Sequence, residues 1–326
     1  ALRPVPGCGS PAPKPKPGGG SAKQGDSKIM PYAEVVTQDA KSDSGMVTVH
    51  RVNSTLLFEI PESLLGRDML LVSRIAKVPA NMAGGFIAAG HKTGEQVLRW
   101  ERVENRVLVR KISFENVAPD SLPIHRSVVN NNFAPIIAAF DVAAEGPAKP
   151  DTVDGVAEKT VVVDVTAFFT TDVPAISGLS RGLRDSYKVR SLDKDRSFLN
   201  FAHAYPMNVD VRSTLTFTAQ SPPVESDTET LSLEMHQSMV LLPKEPMRPR
   251  YADPRLGYFS LTQTNYGLEL QKAAEQTFIS RWRLEPKDPA AYARGELVEP
   301  VKPSFFFNDP ATPEKWRAVV KQGVED

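Results

Sequence analysis

The chain has 326 residues, of which 41% are hydrophobic, and its 39 Lys and Arg balance its 39 Asp and Glu to a formal net charge of zero. This composition supports a sizeable core but gives no electrostatic indication of a nucleic-acid partner, and no apolar run approaches the roughly 18 residues that span a bilayer. The single cysteine, Cys8, excludes an internal disulfide framework and a cysteine-rich zinc site.

Residues 1–28 are rich in Pro, Lys and Gly and have almost nothing to bury, so they are predicted to be a disordered tether. Gly7 and Cys8, followed by this tract, resemble the end of a bacterial lipoprotein signal, in which the cysteine is lipidated. This interpretation predicts a membrane tether through Cys8 and an extracytoplasmic location, in the periplasm or outer envelope. The alternative is a free thiol in a disordered tail.

Residues 29–250 are predicted to form a β-rich region, because short apolar runs with a period of two begin at Ile29. Two strands, Met46–His50 and Leu56–Ile60, flank an Asn53-Ser54 turn. The clearest hairpin joins Gln96–Val103 to Arg106–Ile112 through Glu104-Asn105. Further strands are predicted at Met69–Ile75, Thr160–Val165, Asn208–Ala219 and Thr230–Leu242, with a short helix or turn at Thr166–Thr171.

Polar segments that contain Pro and Gly separate these strands. Asp141–Glu158 is predicted to be a loop, and Pro243–Pro254, with its four prolines, to begin an extended connector assigned to 251–300. The fold class that follows is mainly β (α+β), with one or more antiparallel β-sheet domains and short helices.

The C-terminal end has a different pattern. Val301–Asn308 is predicted to be a strand, and Thr312-Pro313-Glu314 has the residue types that begin a helix. An apolar stripe with helical spacing follows, formed by Trp316, Val319, Val320 and Val324. Residues 301–326 therefore read as the first strand and helix of an α/β domain.

Five stretches in one order carry a family resemblance: Ser63–Lys77, Gly94–Arg102, Leu192–Phe198, Asp253–Phe259 and Pro313–Asp326. Together they are similar to the N-terminal part of bacterial envelope zinc-dependent metalloproteases, and the resemblance runs from about Ile29 to Asp326. It implies that residues 301–326 are the truncated start of a metzincin-like catalytic domain. It also implies zinc in the intact protein, a peptide or protein substrate, and the chain's own C-terminal catalytic domain as a partner.

The zinc motif of such enzymes, H-E-x-x-H-x-x-G-x-x-H, places two histidines on one helix face with a glutamate that activates the zinc-bound water. None of the five histidines here precedes a glutamate, and no two are four residues apart. The sequence therefore predicts no catalytic residue, no metal ligand and no cofactor within this chain. His203 and His236 are interpreted as hydrogen-bonded or surface histidines rather than metal ligands.

Three other segments have a functional and an ordinary interpretation. Asn130–Asn132 is expected to form a turn rather than to hold a ligand such as a glycan. The Gly-rich stretch from Met82 to Gly94 is expected to be a flexible loop rather than a phosphate site, because it lacks the known phosphate-binding patterns. No Ser/His/Asp or Cys/His set is indicated.

The segment Asp253–Phe259 and the nearby Arg281 and Trp282 lie close to the presumed catalytic region. Interdomain docking is therefore predicted for Asp253, Arg255, Tyr258, Arg281 and Trp282, with Arg255 paired to a carboxylate. The alternative is an ordinary protein surface at these positions.

Two functions follow. The first is a non-catalytic N-terminal region that scaffolds the catalytic domain of a zinc-dependent metallopeptidase. The alternative is a lipid-tethered extracytoplasmic β-domain that binds a glycan or a protein.

Overall fold

The computed structural model describes residues 29–150, 157–224, 226–301 and 311–325. Two predictions fall outside this part of the chain. These are the tether at residues 1–28, including the lipidation of Cys8, and all but the first residue of the strand predicted at Val301–Asn308.

The secondary structure is mostly β-strand, interrupted by short helices. The elements up to the middle of the chain are α1 (Tyr32–Val35), β1 (Lys41–Ser44), β2 (Thr48–Val52), β3 (Thr55–Pro61), β4 (Asp68–Lys77), β5 (Lys92–Val103), β6 (Arg106–Ile112), β7 (Asn116–Val117), α2 (Ile124–Asn131) and β8 (Ile136–Pro150). The later elements are β9 (Ala157–Asp164), α3 (Thr166–Thr170), α4 (Arg181–Ser186), β10 (Val189–Ala204), β11 (Asn208–Ala219), β12 (Thr230–Leu241), β13 (Ser260–Asn265), β14 (Ala274–Ile279), α5 (Pro289–Ala293) and α6 (Glu314–Glu325). Single 3-10 turns occur at Glu62–Leu64, Met82–Gly85, Pro174–Ile176 and Ser226–Thr228.

The strands form two sheets. An 11-stranded antiparallel sheet has the order β1-β2-β3-β9-β8-β6-β5-β4-β12-β11-β10, and a small sheet has the order β14-β13-β7, with β13 and β7 parallel. The mainly β, antiparallel fold class with short helices is therefore confirmed. Among the described residues, no helix combines the length and apolar character that a membrane span requires.

Local sequence explains the two hairpins that the alternation predicted. Asn53 and Glu104 have φ angles of 53°, as the first position of a two-residue hairpin turn requires. In β5, Leu98 and Trp100 are almost fully buried, whereas Arg99 between them is partly exposed. This is the alternation of a strand with one face toward a core.

The core lies on the concave face of the large sheet, where aromatic rings contact one another. Trp100 stacks on Phe140 with ring centroids 5.5 Å apart, and Phe58 lies 6.2 Å from Trp100. Phe168 and Phe169 of α3 pack edge to face at 5.0 Å, and Phe169 lies 5.8 Å from Phe58. The predicted short helix at Thr166–Thr171 thus carries two rings into the core.

The large sheet curls until its two edge strands approach each other. The Arg51 guanidinium donates to the carbonyls of Leu199 and Asn200 at 3.0 Å each, and the Asp43 carboxylate accepts from the Ala204 amide at 3.1 Å. We call these contacts, with the Met46–Tyr205 backbone bond at 2.7 Å, the seam. The seam closes the sheet with isolated bonds rather than with a continuous ladder.

Several assignments from the sequence differ from the structure. The loop predicted at Asp141–Glu158 is wrong over most of its length, because β8 continues to Pro150 and β9 begins at Ala157. The two strands pair with each other through two register shifts, which accommodate the irregular sequence. The sequence did not predict five further strands, which are β1, β7, β10, β13 and β14.

The segment 251–300, predicted to be a connector, contains β13, β14 and α5. Its backbone is organised by further bonds, including those from the Ala252 amide to the Thr277 carbonyl at 2.8 Å and from the Val301 amide to the Glu285 carbonyl at 2.8 Å. The helix predicted after Thr312 is confirmed as α6.

Candidate functional site

Three of the five predicted docking residues come together beside the β13–β14 hairpin. Tyr258, Arg281 and Trp282 line a recess of about 650 Å³, together with Arg250, Ser280 and Leu284. The backbone places them there, because the Ser280 amide donates to the Phe259 carbonyl at 2.7 Å and joins the segments on either side of the hairpin.

Arg281 is held in a defined position at this recess. Its guanidinium donates to the carbonyl of Arg248 at 2.7 Å and to that of Trp282 at 3.2 Å. Its Nε is buried and has no hydrogen-bond partner among the described residues. The recess is cationic because Arg250 and Arg281 line it. It is also partly aromatic, because Tyr258 and Trp282 line it and are 55% and 64% exposed.

Asp253 and Arg255 pair with each other instead of lining this recess. The Arg255 guanidinium donates to the Asp253 carboxylate at 2.6 Å and 2.9 Å, and the Arg255 amide donates to the same carboxylate at 3.0 Å. The guanidinium hydrogen bonds lower the pKa of Asp253 and raise that of Arg255. The pair stabilises a local turn on the surface.

The region around the recess has almost no core of its own. Among the described residues of 243–325, Ala291 alone is buried. Large apolar side chains are exposed instead, and they include Tyr251, Leu256, Tyr258, Phe259, Leu261, Leu268, Leu270, Trp282, Leu284, Tyr292, Leu297 and Val301. We call this set the C-terminal apolar surface.

Helix α6 also exposes large apolar side chains. The predicted stripe forms on one helix, and its members Trp316, Val319, Val320 and Val324 are 43–59% exposed. An amphipathic helix normally buries such a stripe, and contiguous exposed apolar patches of this kind mark interaction sites.

The histidines considered as metal ligands lie apart from any metal-binding group. His203 contacts Asp43 at 3.1 Å and His236 lies 3.7 Å from Asp210. No set of three or more His, Cys, Asp or Glu side chains suited to a metal ion occurs among the described residues. Asn130 and Asn131 belong to α2, and Asn132 caps its C-terminal end, where its side chain donates to the Val128 carbonyl at 2.8 Å.

The Gly-rich stretch forms an ordered turn at its start. Met82 is buried, and the Ala83 amide donates to the Tyr187 hydroxyl at 2.6 Å. Farther along, His91 and Lys92 line a recess of about 620 Å³ beside α4. One of the cations that line it, Arg184, is already bound by both oxygens of Asp172 at 2.5 Å and 2.7 Å.

A polar arrangement that the sequence did not predict lies on the convex face of β1, β2 and β3. The Ser42 hydroxyl lies 2.7 Å from Nδ1 of His50, and Nε2 of His50 lies 2.8 Å from the Glu59 carboxylate. His50 and Glu59 are 3% and 1% exposed, whereas Ser42 is exposed. We call these three residues the hydroxyl–imidazole–carboxylate relay.

Two hydroxyls also donate hydrogen bonds to Glu59. Tyr32 donates to one carboxylate oxygen at 2.9 Å and Thr160 to the other at 2.8 Å. Burial, followed by the hydrogen bond to Glu59, raises the pKa of Tyr32 to about 12, so Tyr32 is a protonated donor at neutral pH. Both oxygens of this buried carboxylate therefore have a hydroxyl donor.

A signal for this relay was present in the sequence. Ser42 and His50 are cross-strand partners, and Glu59 lies two residues from Leu57, the partner of His50 in β3. Finding it required the register of β1, whose sequence KSDS has no apolar alternation.

Comparison with known proteins gives families without an assigned function. A family model described as a domain of unknown function, DUF5117, matches residues 90–287, and a second one, DUF5118, matches residues 29–78. No curated protein and no solved structure matches the chain.

Proposed function

The chain belongs to the family of the domain of unknown function DUF5117, and from this premise we propose that it is the non-catalytic accessory region of a zinc-dependent metallopeptidase. In the intact protein, a C-terminal catalytic domain with zinc hydrolyses peptide bonds, and the region described here scaffolds it. The C-terminal apolar surface docks against that catalytic domain, and α6 is the first helix of the domain.

The observation that carries this proposal is the contrast between the two parts of the chain. The large sheet buries residues such as Phe58, Trp100 and Val161, which are at most 1% exposed. Among the described residues of 243–325, large apolar side chains are instead exposed, and only Ala291 is buried. Burial of apolar area stabilises a structure by about 25 cal/mol per Å², so this region gains most by covering its surface with another folded unit.

The recess adds specificity to this surface. Arg250 and Arg281 supply positive charge beside Tyr258 and Trp282. Interfaces are enriched in aromatic and arginine side chains at their centres, and an arginine pairs well with a carboxylate. We therefore expect the docking face of the catalytic domain to be apolar with at least one acidic side chain opposite Arg281.

The resemblance supports the identity of the partner. Five stretches between Ser63 and Asp326 are similar to the N-terminal part of envelope zinc metalloproteases, in the same order. In that arrangement α6 stands at the entry of the catalytic domain, next to the surface that docks it.

Hydrogen exchange tests the docking. We expect the reading frame after Asp326 to encode H-E-x-x-H, and we expect amides of 251–301 to exchange more slowly in that longer product than in the 326-residue chain. Phe259→Ser should reduce this protection. The matched control is Phe86→Ser, because Phe86 is 90% exposed and Phe259 is 91% exposed.

Two results would contradict the proposal. The first is equal exchange of 251–301 in both proteins. The second is zinc-dependent peptide hydrolysis by the 326-residue chain that a chelator abolishes, since this chain has no H-E-x-x-H motif.

A second candidate is a lipid-tethered β-domain that binds a glycan or a protein. The exposed rings of Tyr258 and Trp282 at a recess of about 650 Å³ favour it, because flat aromatic faces and polar rims suit sugar rings. Binding of an oligosaccharide that Trp282→Ala abolishes, without protection of 251–301 in the longer product, would favour this candidate.

Both candidates share a proposed extracytoplasmic location and lipid attachment at Cys8. Metabolic labelling with a radioactive fatty acid tests the attachment. Label should enter the wild-type protein and should be absent from Cys8→Ser, and equal labelling of both would refute lipidation at this residue.

A further inference from the structure

The hydroxyl–imidazole–carboxylate relay shares no residue with the C-terminal apolar surface, and the scaffold function does not use it. We propose that Ser42 is an activated nucleophile that hydrolyses small acyl esters, with His50 as its general base and Glu59 as the residue that positions His50. The inference is independent of the zinc-dependent function.

The tautomer of His50 that has its proton on Nε2 makes the ring a base toward Ser42. Glu59 accepts from the Tyr32 and Thr160 hydroxyls, and in this tautomer Nε2–H of His50 also donates to its carboxylate at 2.8 Å. With the proton on Nε2, Nδ1 of neutral His50 has a free lone pair, and it accepts from the Ser42 hydroxyl at 2.7 Å. A nucleophile, a base and a group that orients the base are therefore in contact.

The proposed base and its positioning residue are buried, whereas the proposed nucleophile is exposed, as this chemistry requires. The side chains of His50 and Glu59 are 4% and 0% exposed, so their orientation is fixed and their interaction is poorly screened by water. The Tyr32 ring stands edge-on to His50 at 6.4 Å and helps to cover it. Ser42 is exposed, so a substrate can reach its hydroxyl.

Ser42 lies on strand β1, at one edge of the large sheet. The proposal requires an oxyanion donor, and a backbone N–H on the outer edge of β1 would supply it. The neighbouring carboxylate of Asp43 is turned away from this face, because it binds the Ala204 amide and His203 across the seam. A repulsive negative charge is thereby kept from the reacting oxygen.

The reaction balances with water as the co-reactant. The Ser42 Oγ bonds to the acyl carbon while its proton moves to Nδ1 of His50, and the ester C–O bond breaks as the leaving alkoxide takes that proton. Water then attacks the acyl-serine and gives a proton to Nδ1. The Ser42 Oγ–acyl bond breaks, Oγ takes the proton, and a carboxylic acid is released with the alcohol as the other product.

The test uses the full chain with p-nitrophenyl acetate and a fluorophosphonate probe. We expect probe adducts on Ser42 by peptide mass spectrometry, and nitrophenol release that a chelator does not affect. Loss of a general base typically lowers such rates by about 100-fold or more, and this is the loss expected for His50→Gln. Ser42→Ala should abolish both the adduct and the turnover.

Ser44 is the matched control. It lies on the same strand and the same face, but its cross-strand partner is Thr48 rather than a histidine. In the wild-type chain the probe should label Ser42 and spare Ser44, a comparison that does not depend on the folding of the buried variants. Equal labelling of the two serines, or no labelling of Ser42, would overturn the proposal.

Discussion

The amide of Met46 donates a hydrogen bond of 2.7 Å to the carbonyl of Tyr205. This contact joins the β1–β2 hairpin at one edge of the large sheet to the end of β10 at the other edge. The two residues are far apart in the sequence, and their bond lies outside the regular ladders of the sheet. The curvature of the sheet thus depends on close backbone approach at the seam.

Gly45 permits that approach. A Cβ at this position would lie 2.4 Å from the Tyr205 carbonyl oxygen and 2.5 Å from its amide nitrogen, both of which are backbone atoms that cannot move freely. We expect Gly45→Ala to lower the free energy of unfolding by about 1–3 kcal/mol, measured by urea denaturation. Gly182→Ala is the control, because a Cβ there meets nothing within 4 Å on helix α4. Its effect should stay within about 1 kcal/mol, in the stabilising direction.

The seam should also weaken in acid. The Ala204 amide, followed by the His203 side chain, holds the pKa of Asp43 below its ordinary value of 3.8. Because the folded-state pKa is lower than the unfolded one, the stabilising contribution is fully present above the unfolded pKa and is lost as pH falls through the folded pKa. The difference in unfolding free energy between wild type and Asp43→Ala should therefore shrink below pH 3.8.

His203 is the titratable side chain that faces Asp43. The comparison repeated in a His203→Gln background separates its protonation from that of the carboxylate. A difference that grows as pH falls below 3.8 would contradict the assigned direction.

Tyr32 couples the N-terminal segment to the buried carboxylate. Its hydroxyl donates to Glu59 at 2.9 Å, and hydrogen bonds to charged groups contribute about 1.5–3 kcal/mol. Tyr32→Phe should lower the free energy of unfolding by about that amount, and the loss should be smaller in a Glu59→Gln background. Tyr292→Phe serves as the control, since Tyr292 is 63% exposed. Equal losses in both backgrounds would show that the hydroxyl acts elsewhere.

The apolar stripe of α6 should matter for association and little for stability. Val320 is 43% exposed, so Val320→Ser should change the free energy of unfolding by less than about 0.5 kcal/mol. The same change should reduce self-association of the chain in sedimentation velocity at high concentration. Val163→Ser, at a fully buried position, should instead cost at least about 2 kcal/mol. Destabilisation by Val320→Ser of that size would mean that α6 is packed against the chain.

Sequence patterns predicted the strands whose two faces differ in polarity. Strand β11 was predicted to its last residue, because its side chains alternate along Asn208–Ala219. Strand β10 was missed since it is irregular: its pairing with β11 shifts register between Asp193 and Phe198, where Asp193 accepts from the backbone amides of Asp195 and Arg196. A polar sequence with a bulge has no regular period to detect.

The sequence likewise predicted some residues of the candidate sites and not others. Tyr258, Arg281 and Trp282 were predicted from the sequence and share one recess, because backbone pairing beside the hairpin brings them together. Asp253 and Arg255 are two residues apart, and their carboxylate and guanidinium pair locally. The relay of Ser42, His50 and Glu59 depends on the register of three strands, which the sequence alone does not specify for so polar an edge.

The small sheet joins the C-terminal region to the rest of the fold through a very short contact. Strands β13 and β7 share two residue pairs, Thr264 with Asn116 and Asn265 with Val117. The eleven residue pairs between β11 and β12 form a far longer ladder. When a force pulls the C-terminal region away from the rest of the fold, this two-pair contact should therefore separate before the β11–β12 ladder does.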